Sequence, residues 1–266
     1  MSPVLIAVLV LCAIGAVCAL LLVIASKYMS VPVDEKFPAI RACLPGANCG
    51  ACGYSGCDGY AAALAKGEAK SISQCAPGGN DVAKQLSALL GVEAADIRPL
   101  AAVVRCGGDC TKAQKKLEYV GEQSCKAAAQ LFGGHKSCLY GCLGFGDCVK
   151  ACPYEAIRIC DGIAHVDTTQ CRACRACEKV CPKNLIELLP KDEIRPAVLC
   201  RNQDKAQDTH KQCSAGCIGC GKCMRNCEFG AITVENFVAH VDQDKCTGCG
   251  KCAENCPIKC ITMLNK

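Results

Sequence analysis

The sequence predicts an α+β protein that combines a transmembrane helix, a small cysteine-rich domain and two tandem copies of one cysteine-rich module. Three observations carry this prediction: an uncharged N-terminal stretch, 30 cysteines in 266 residues, and a sequence repeat whose copies begin at His135 and His210. In chain order, the predicted parts are a transmembrane anchor, a four-cysteine domain, a linker with a helical segment, and the two modules. These parts span residues 1–29, 30–80, 81–134, 135–190 and 191–266.

The N-terminal stretch has the length of a membrane-spanning helix. No charged residue occurs from Pro3 to Ala25, and about 20 apolar residues suffice to cross a bilayer. The first basic residues, Lys27, Lys36 and Arg41, follow this stretch. The positive-inside rule therefore puts the rest of the chain in the cytoplasm. We therefore expect a single-pass anchor in the cell (inner) membrane.

Two other kinds of N-terminal segment fit less well. A secretory signal peptide would begin with basic residues and have a shorter apolar core. A lipidated cysteine would follow a small residue, whereas Cys12 and Cys18 follow Leu11 and Val17. Both cysteines are interpreted as apolar helix residues.

The composition indicates that inorganic centres stabilise the chain. Against 30 Cys there are only 5 Phe, 6 Tyr and no Trp, so burial of large aromatic side chains contributes little. Disulfides are typical of small secreted proteins, and cysteines two residues apart in repeated runs suit thiolates that converge on one centre. The net charge of +5, without an arginine-rich tract, does not favour nucleic-acid binding.

The first cysteine group lies in a glycine-rich loop. Its four members are Cys49, Cys52, Cys57 and Cys75, a full shell of four thiolates. Zinc also accepts four thiolates, but three ligands within nine residues of so glycine-rich a loop favour a [4Fe–4S] cluster. Residues 58–70 are alanine-rich and predict a short helix, and Cys43, outside the set, is interpreted as a small buried residue.

The repeat comprises residues 135–181 and 210–256. Each copy carries a predicted pair of strands, 156–159 with 163–167 and 231–234 with 238–242. Three cysteine runs have the spacing Cys-x2-Cys-x2-Cys-x3-Cys and start at Cys171, Cys217 and Cys246. This spacing is typical of bacterial [4Fe–4S] proteins, and each module resembles a two-cluster ferredoxin.

The resemblance implies how the runs share their cysteines, because in that family the fourth cysteine of each run ligates the other cluster. One run is stretched: Phe145 stands where the second copy has Cys220, and we assign Cys138 in its place. The implied sets are Cys138, Cys142, Cys148 and Cys181; Cys171, Cys174, Cys177 and Cys152; Cys217, Cys220, Cys223 and Cys256; and Cys246, Cys249, Cys252 and Cys227.

These assignments give five clusters and leave ten cysteines. Five of the ten, Cys12, Cys18, Cys43, Cys160 and Cys260, have apolar or strand interpretations. The other five leave open a sixth cluster formed by four of them: Cys106, Cys110, Cys125, Cys200 and Cys213.

The order of these parts resembles the B subunit of the Rnf complex, the ion-translocating ferredoxin:NAD+ oxidoreductase. The similarity rests on the apolar N-terminus, the segments 44–57 and 74–79, and the ferredoxin modules. It implies an electron-transfer subunit that accepts electrons from soluble ferredoxin and relays them to flavin-bearing membrane subunits. No Gly-x-Gly-x-x-Gly or P-loop motif indicates a nucleotide site, so no substrate-converting site is expected in this chain.

Two alternatives are a polyferredoxin of another membrane enzyme, such as a hydrogenase or heterodisulfide reductase, and a zinc-bearing scaffold. The Cys49–Cys75 group argues against the first, because a plain polyferredoxin has only ferredoxin repeats. The repeated ferredoxin spacing argues against the second.

Overall fold

The protein combines short helices with four two-stranded sheets. The structure is a computed structural model that describes residues 3–28 and 36–264, with side chains described for 12–26 and 36–264. The helices are α1 Pro3–Tyr28, α2 Phe37–Cys43, α3 Cys57–Ala65, α4 Gly79–Leu90, α5 Cys125–Gln130, α6 Asp147–Lys150, α7 Ala176–Val180, α8 Ala206–Gln212, α9 Lys222–Arg225 and α10 Lys251–Glu254. The strands are β1 Leu100–Val104, β2 Ile157–Cys160, β3 Ile163–Val166, β4 Ile186–Pro190, β5 Arg195–Val198, β6 Ile232–Glu235, β7 Val238–Val241 and β8 Ile261–Leu264.

The predicted transmembrane helix is corrected by the structure. Over the described residues, no helix is long and apolar enough to cross a membrane, so this part of the fold-class prediction is wrong. Lys27, on which the predicted orientation depended, lies outside the residues whose side chains are described.

Helices α2, α3 and α4 enclose the core of the first cysteine-rich domain. Ile40, Tyr60 and Leu86 are at most 1% exposed, and the Tyr60 hydroxyl donates to the Ser71 carbonyl at 2.9 Å. Helix α3 is shorter than predicted because Gly67, at φ +70°, turns the chain after Ala65.

The two modules share one strand arrangement. Each has a central antiparallel hairpin, β2–β3 or β6–β7, as the repeat predicted. Each also has an outer antiparallel pair, β1–β4 or β5–β8, whose strands come from the two ends of the module. Strand β1 lies in the segment predicted as a linker, so the first module begins at Leu100. Residue spacing did not reveal this strand because its partner lies more than eighty residues away.

The core of each module is built around cysteines. In the first, Cys142, Cys148, Cys171 and Cys177 are buried among the apolar residues of β1 to β4. In the second, Cys217, Cys223, Cys252 and Cys256 are buried in the core, and the first three are the repeat equivalents of Cys142, Cys148 and Cys177. The hydrophobic core and the candidate ligands are therefore the same region of each module.

Candidate metal centres

The glycine-rich loop of the first domain brings its four cysteines together. The Cys75 thiol interacts electrostatically with those of Cys49, Cys52 and Cys57. The Asn48 side-chain oxygen accepts the Cys57 backbone N–H at 2.8 Å and fixes the start of α3. Asn48 was not singled out from the sequence, although its place directly before Cys49 is a signal for such a turn.

The structure regroups the cysteines of the stretched run. A cavity in the first module is lined by Cys125, Cys142, Cys148 and Cys181, and Cys148 interacts with the other three. Cys125, at the start of α5, takes the position that the sequence assigned to Cys138. Three members of the predicted set line this cavity together, and Cys138 does not.

Cys138 instead lines a cavity between the two modules. This cavity is lined by Cys106, Cys138, Cys200 and Cys213. Cys106 follows β1 and Cys200 follows the corresponding strand β5. Cys138 and Cys213 are themselves equivalent in the repeat, so each module contributes the same two positions and the cavity is pseudo-symmetric.

A third cavity, in the second module, contains a predicted set and one further cysteine. It is lined by Cys217, Cys220, Cys223, Cys256 and Cys260. A hydrogen bond between Cys217 and Cys260 lowers the pKa of Cys217 and raises that of Cys260. Cys260 was interpreted as apolar from the sequence; it is 4% exposed and lies against the predicted ligands.

Electrostatic contacts also group the cysteines of the two remaining predicted sets. Cys177 interacts with Cys152, Cys171 and Cys174. Cys252 interacts with Cys246 and Cys249. Cys227 packs against the core of the second module, and its place in the second of these sets stays a prediction.

Backbone N–H groups point at several of these sulfurs. Ala102 of β1 donates to Cys171 Sγ at 3.3 Å, and Cys142 donates to Cys106 Sγ at 3.3 Å. The N–H of Gly248 lies 3.4 Å from Cys246 Sγ. Such donors stabilise negative charge on sulfur, which suits thiolates better than neutral thiols.

Sequence reasoning missed two buried polar residues that interact with cysteines of the cavity between the modules. Asn202 is 1% exposed, and its backbone and side-chain N–H groups donate to Cys200 Sγ at 3.4 Å and Cys138 Sγ at 3.5 Å. Lys136 is 3% exposed and interacts electrostatically with Cys142 and Cys213. A buried amide and a buried ammonium group both require compensating partners. Sulfur accepts from Asn202, whereas the Lys136 ammonium donates to the carbonyls of Gly108 and Gly162.

Burial raises the pKa of several of these thiols. Desolvation raises the pKa of Cys148 and of Cys177 to about 12. Metal binding would therefore release protons and give the buried sulfurs the countercharge that the apolar core lacks.

The donor set fits iron–sulfur clusters. In the residues that the structure describes, no group of three or more His, Cys, Asp or Glu side chains converges as a site for a single metal ion. Three cavities in the described residues are each lined by at least four cysteines. Four thiolates around a cavity, with N–H donors to sulfur, form the shell that a [4Fe–4S] cluster takes.

The fold and these centres define a multi-cluster iron–sulfur electron carrier, and comparison with known proteins identifies its family. Family models for a putative Fe-S cluster, a 4Fe-4S binding domain and a 4Fe-4S dicluster domain match residues 44–77, 164–187 and 211–263. These matches cover the glycine-rich loop and parts of both modules.

Three curated relatives match nearly the whole chain. The B subunit of the Na(+)-translocating ferredoxin:NAD(+) oxidoreductase complex of Acetobacterium woodii is 41% identical over 92% of this chain and 73% of its own length. The B subunit of the ion-translocating oxidoreductase complex of Methanosarcina acetivorans is 40% identical over 92% and 93%. The B subunit of the proton-translocating ferredoxin:NAD(+) oxidoreductase complex of Clostridium ljungdahlii is 40% identical over 91% and 86%.

The chain belongs to the family of Rnf complex B subunits. It is an iron–sulfur electron-transfer subunit of an oxidoreductase complex. The resemblance drawn from the sequence is thereby confirmed.

Proposed function

We propose that this chain is a six-cluster electron relay that accepts electrons from reduced ferredoxin and passes them to flavin-bearing subunits of an ion-translocating complex. Bound [4Fe–4S] clusters supply one-electron transfer at low potential. The chain's own residues hold the clusters in sequence, exclude water from them and donate hydrogen bonds to their sulfurs. Because ion translocation requires a membrane, we infer that the chain works at one, beside the other subunits.

Six sets of four cysteines are proposed as ligands. They are Cys49, Cys52, Cys57 and Cys75; Cys152, Cys171, Cys174 and Cys177; Cys125, Cys142, Cys148 and Cys181; Cys106, Cys138, Cys200 and Cys213; Cys217, Cys220, Cys223 and Cys256; and Cys227, Cys246, Cys249 and Cys252.

The observation that carries this proposal is that consecutive sets adjoin each other. In the first half of the chain, Cys174 interacts with Cys49 of the first domain, and Cys148 interacts with Cys177. The ammonium group of Lys179 also donates to the Cys49 carbonyl at 3.0 Å and ties the first domain to the first module.

The set between the modules continues the series. Cys106 accepts the Cys142 N–H, which links it to the first module. Cys200 interacts with Cys217 and links it to the second module, where Cys252 interacts with Cys223. The two modules are joined through this set, so it is the step on which a continuous relay depends.

Replacement of a single cysteine between the modules tests the relay. In the full complex, Cys213→Ala should remove about four iron per chain and strongly reduce the rate at which reduced ferredoxin drives NAD+ reduction. Cys110→Ala is the matched control, because Cys110 is an exposed cysteine outside all six sets. The measurements are iron content by chemical assay and NADH formation by absorbance.

Each half of the proposal has its own contradicting result. Full iron content in Cys213→Ala would overturn the ligand set. Loss of about four iron with undiminished NAD+ reduction would overturn the relay through this set.

A further inference from the structure

We propose that the Cys260 thiol is a redox-tuning fifth cysteine: it donates an S–H hydrogen bond to the ligand sulfurs of the second module and raises the reduction potential of the cluster held there. This inference rests on the proposed function, in which Cys217, Cys220, Cys223 and Cys256 hold a [4Fe–4S] cluster. Cys260 itself is not proposed as a ligand.

The position of Cys260 recurs four times in the chain. Each of the four cysteine runs of the modules ends in a cysteine, and the residue four places later begins the return toward a strand. These residues are Ala156, Leu185, Ala231 and Cys260, and they are 3%, 2%, 1% and 4% exposed. The position is thus always buried, and only in the last run does it carry a hydrogen-bond donor in its side chain.

The Cys260 thiol lies close enough to the ligand sulfurs to donate a hydrogen bond to them. Cys260 Sγ lies 3.6 Å from Cys256 Sγ, within hydrogen-bonding distance for two sulfurs, and Cys217 is the other ligand thiol beside it. It lines the same cavity as both. The Cys260 carbonyl accepts the Leu199 N–H at 2.7 Å, which fixes the backbone directly before β8.

The protonation states set the direction of the hydrogen bond. A sulfur that ligates iron is a thiolate and can only accept, whereas a thiol outside the ligand shell keeps its proton and can donate. Reduction adds negative charge to the cluster and its sulfurs, so a donor stabilises the reduced form more than the oxidised form. Hydrogen bonds to sulfur are among the features that set cluster potentials.

The test combines loss, rescue and gain of the donor. Cys260→Ala reproduces the residue of two equivalent positions, and Cys260→Ser keeps a donor. Leu185→Cys introduces a thiol at the equivalent position of the first module, next to Cys181. Each full-length variant is purified anaerobically, assayed for iron and sulfide, and titrated electrochemically with EPR detection of the reduced clusters.

We expect Cys260→Ala to keep all of its iron and to shift one cluster to a more negative potential. The shift should correspond to at most about a tenfold change in the reduction equilibrium, which is 59 mV for one electron. Cys260→Ser should recover most of this shift, and Leu185→Cys should move a different cluster to a more positive potential.

Two results would overturn the inference. Loss of about four iron in Cys260→Ala would make Cys260 a ligand, and unchanged potentials with full iron would make it a packing residue. Failure of the proposed function is distinguishable from both, because the wild-type chain would then itself lack the iron and sulfide of this cluster.

Discussion

Lys136 illustrates how single residues support the centres. Its ammonium group donates to the carbonyls of Gly108 and Gly162 at 2.9 and 3.1 Å. Both acceptors are neutral, so the positive charge acts on the nearby sulfurs of Cys142 and Cys213. A buried cation beside anionic clusters stabilises their reduced forms.

Replacing this lysine should therefore make nearby clusters harder to reduce. Lys136→Met is expected to shift the clusters of the Cys142 and Cys213 sets to more negative potentials in an EPR-monitored titration. Lys211→Met is the matched control, because Lys211 is the repeat equivalent of Lys136 and is exposed. Equal potentials in the two variants would contradict an electrostatic role for Lys136.

At the same scale, local spacing gave regular cysteine sets, but the structure puts Cys138 in a different cavity from the other members of its predicted set. A run of four cysteines carries its own ligand pattern only when all four members are present, and Phe145 interrupts this one. Cys125, which lies with the other members of this run, comes from a separate helix. Two of the cysteines beside Cys138, Cys106 and Cys200, follow distant strands. Two signals in the sequence could have indicated this grouping. Cys138 is equivalent to Cys213 in the repeat, and the segments that end in Cys106 and Cys200 are alike.

Among the elements, the hairpins were predictable and the outer strand pairs were not. Strands β2 and β3, like β6 and β7, are adjacent in sequence and separated by tight turns, so they follow from local pattern. Pairing of β1 with β4 and of β5 with β8 depends on the closure of long loops. Local sequence pattern carries no information about such distant pairing.

One cluster loop packs directly on a hairpin turn, and its glycine is required. Gly219, at φ +62°, lies between Cys217 and Cys220, and a Cβ there would lie 2.8 Å from the Phe237 carbonyl oxygen in the turn between β6 and β7. The repeat equivalent, Gly144, faces the backbone of Gly162 in the same way. The loop and the hairpin are therefore in contact without space for a side chain.

Gly219→Ala should destabilise the second module and weaken its cluster. The left-handed conformation costs alanine roughly 1–2 kcal/mol, and the clash adds roughly 1–3 kcal/mol. Gly230→Ala is the control, since it has φ +59° with nothing within 4 Å of an added Cβ. Thermal unfolding and iron content are the measurements, and equal losses in both variants would contradict the packing role of Gly219.

For the whole molecule, the sequence indicated the module order and the iron–sulfur chemistry but not the centre that joins the modules. That centre depends on tertiary pseudo-symmetry: each module supplies one cysteine after its first strand and one from the start of its repeat. The predicted transmembrane helix was wrong for the residues that the structure describes. The proposed relay thus depends on how the two copies face each other.

Iron and acid-labile sulfide content of the anaerobically purified full-length chain tests this relay most directly. Six clusters predict about 24 iron and about 24 sulfide per chain. A content of about 20 of each would contradict the centre between the modules, and a colourless protein with stoichiometric zinc and no sulfide would contradict the iron–sulfur relay as a whole.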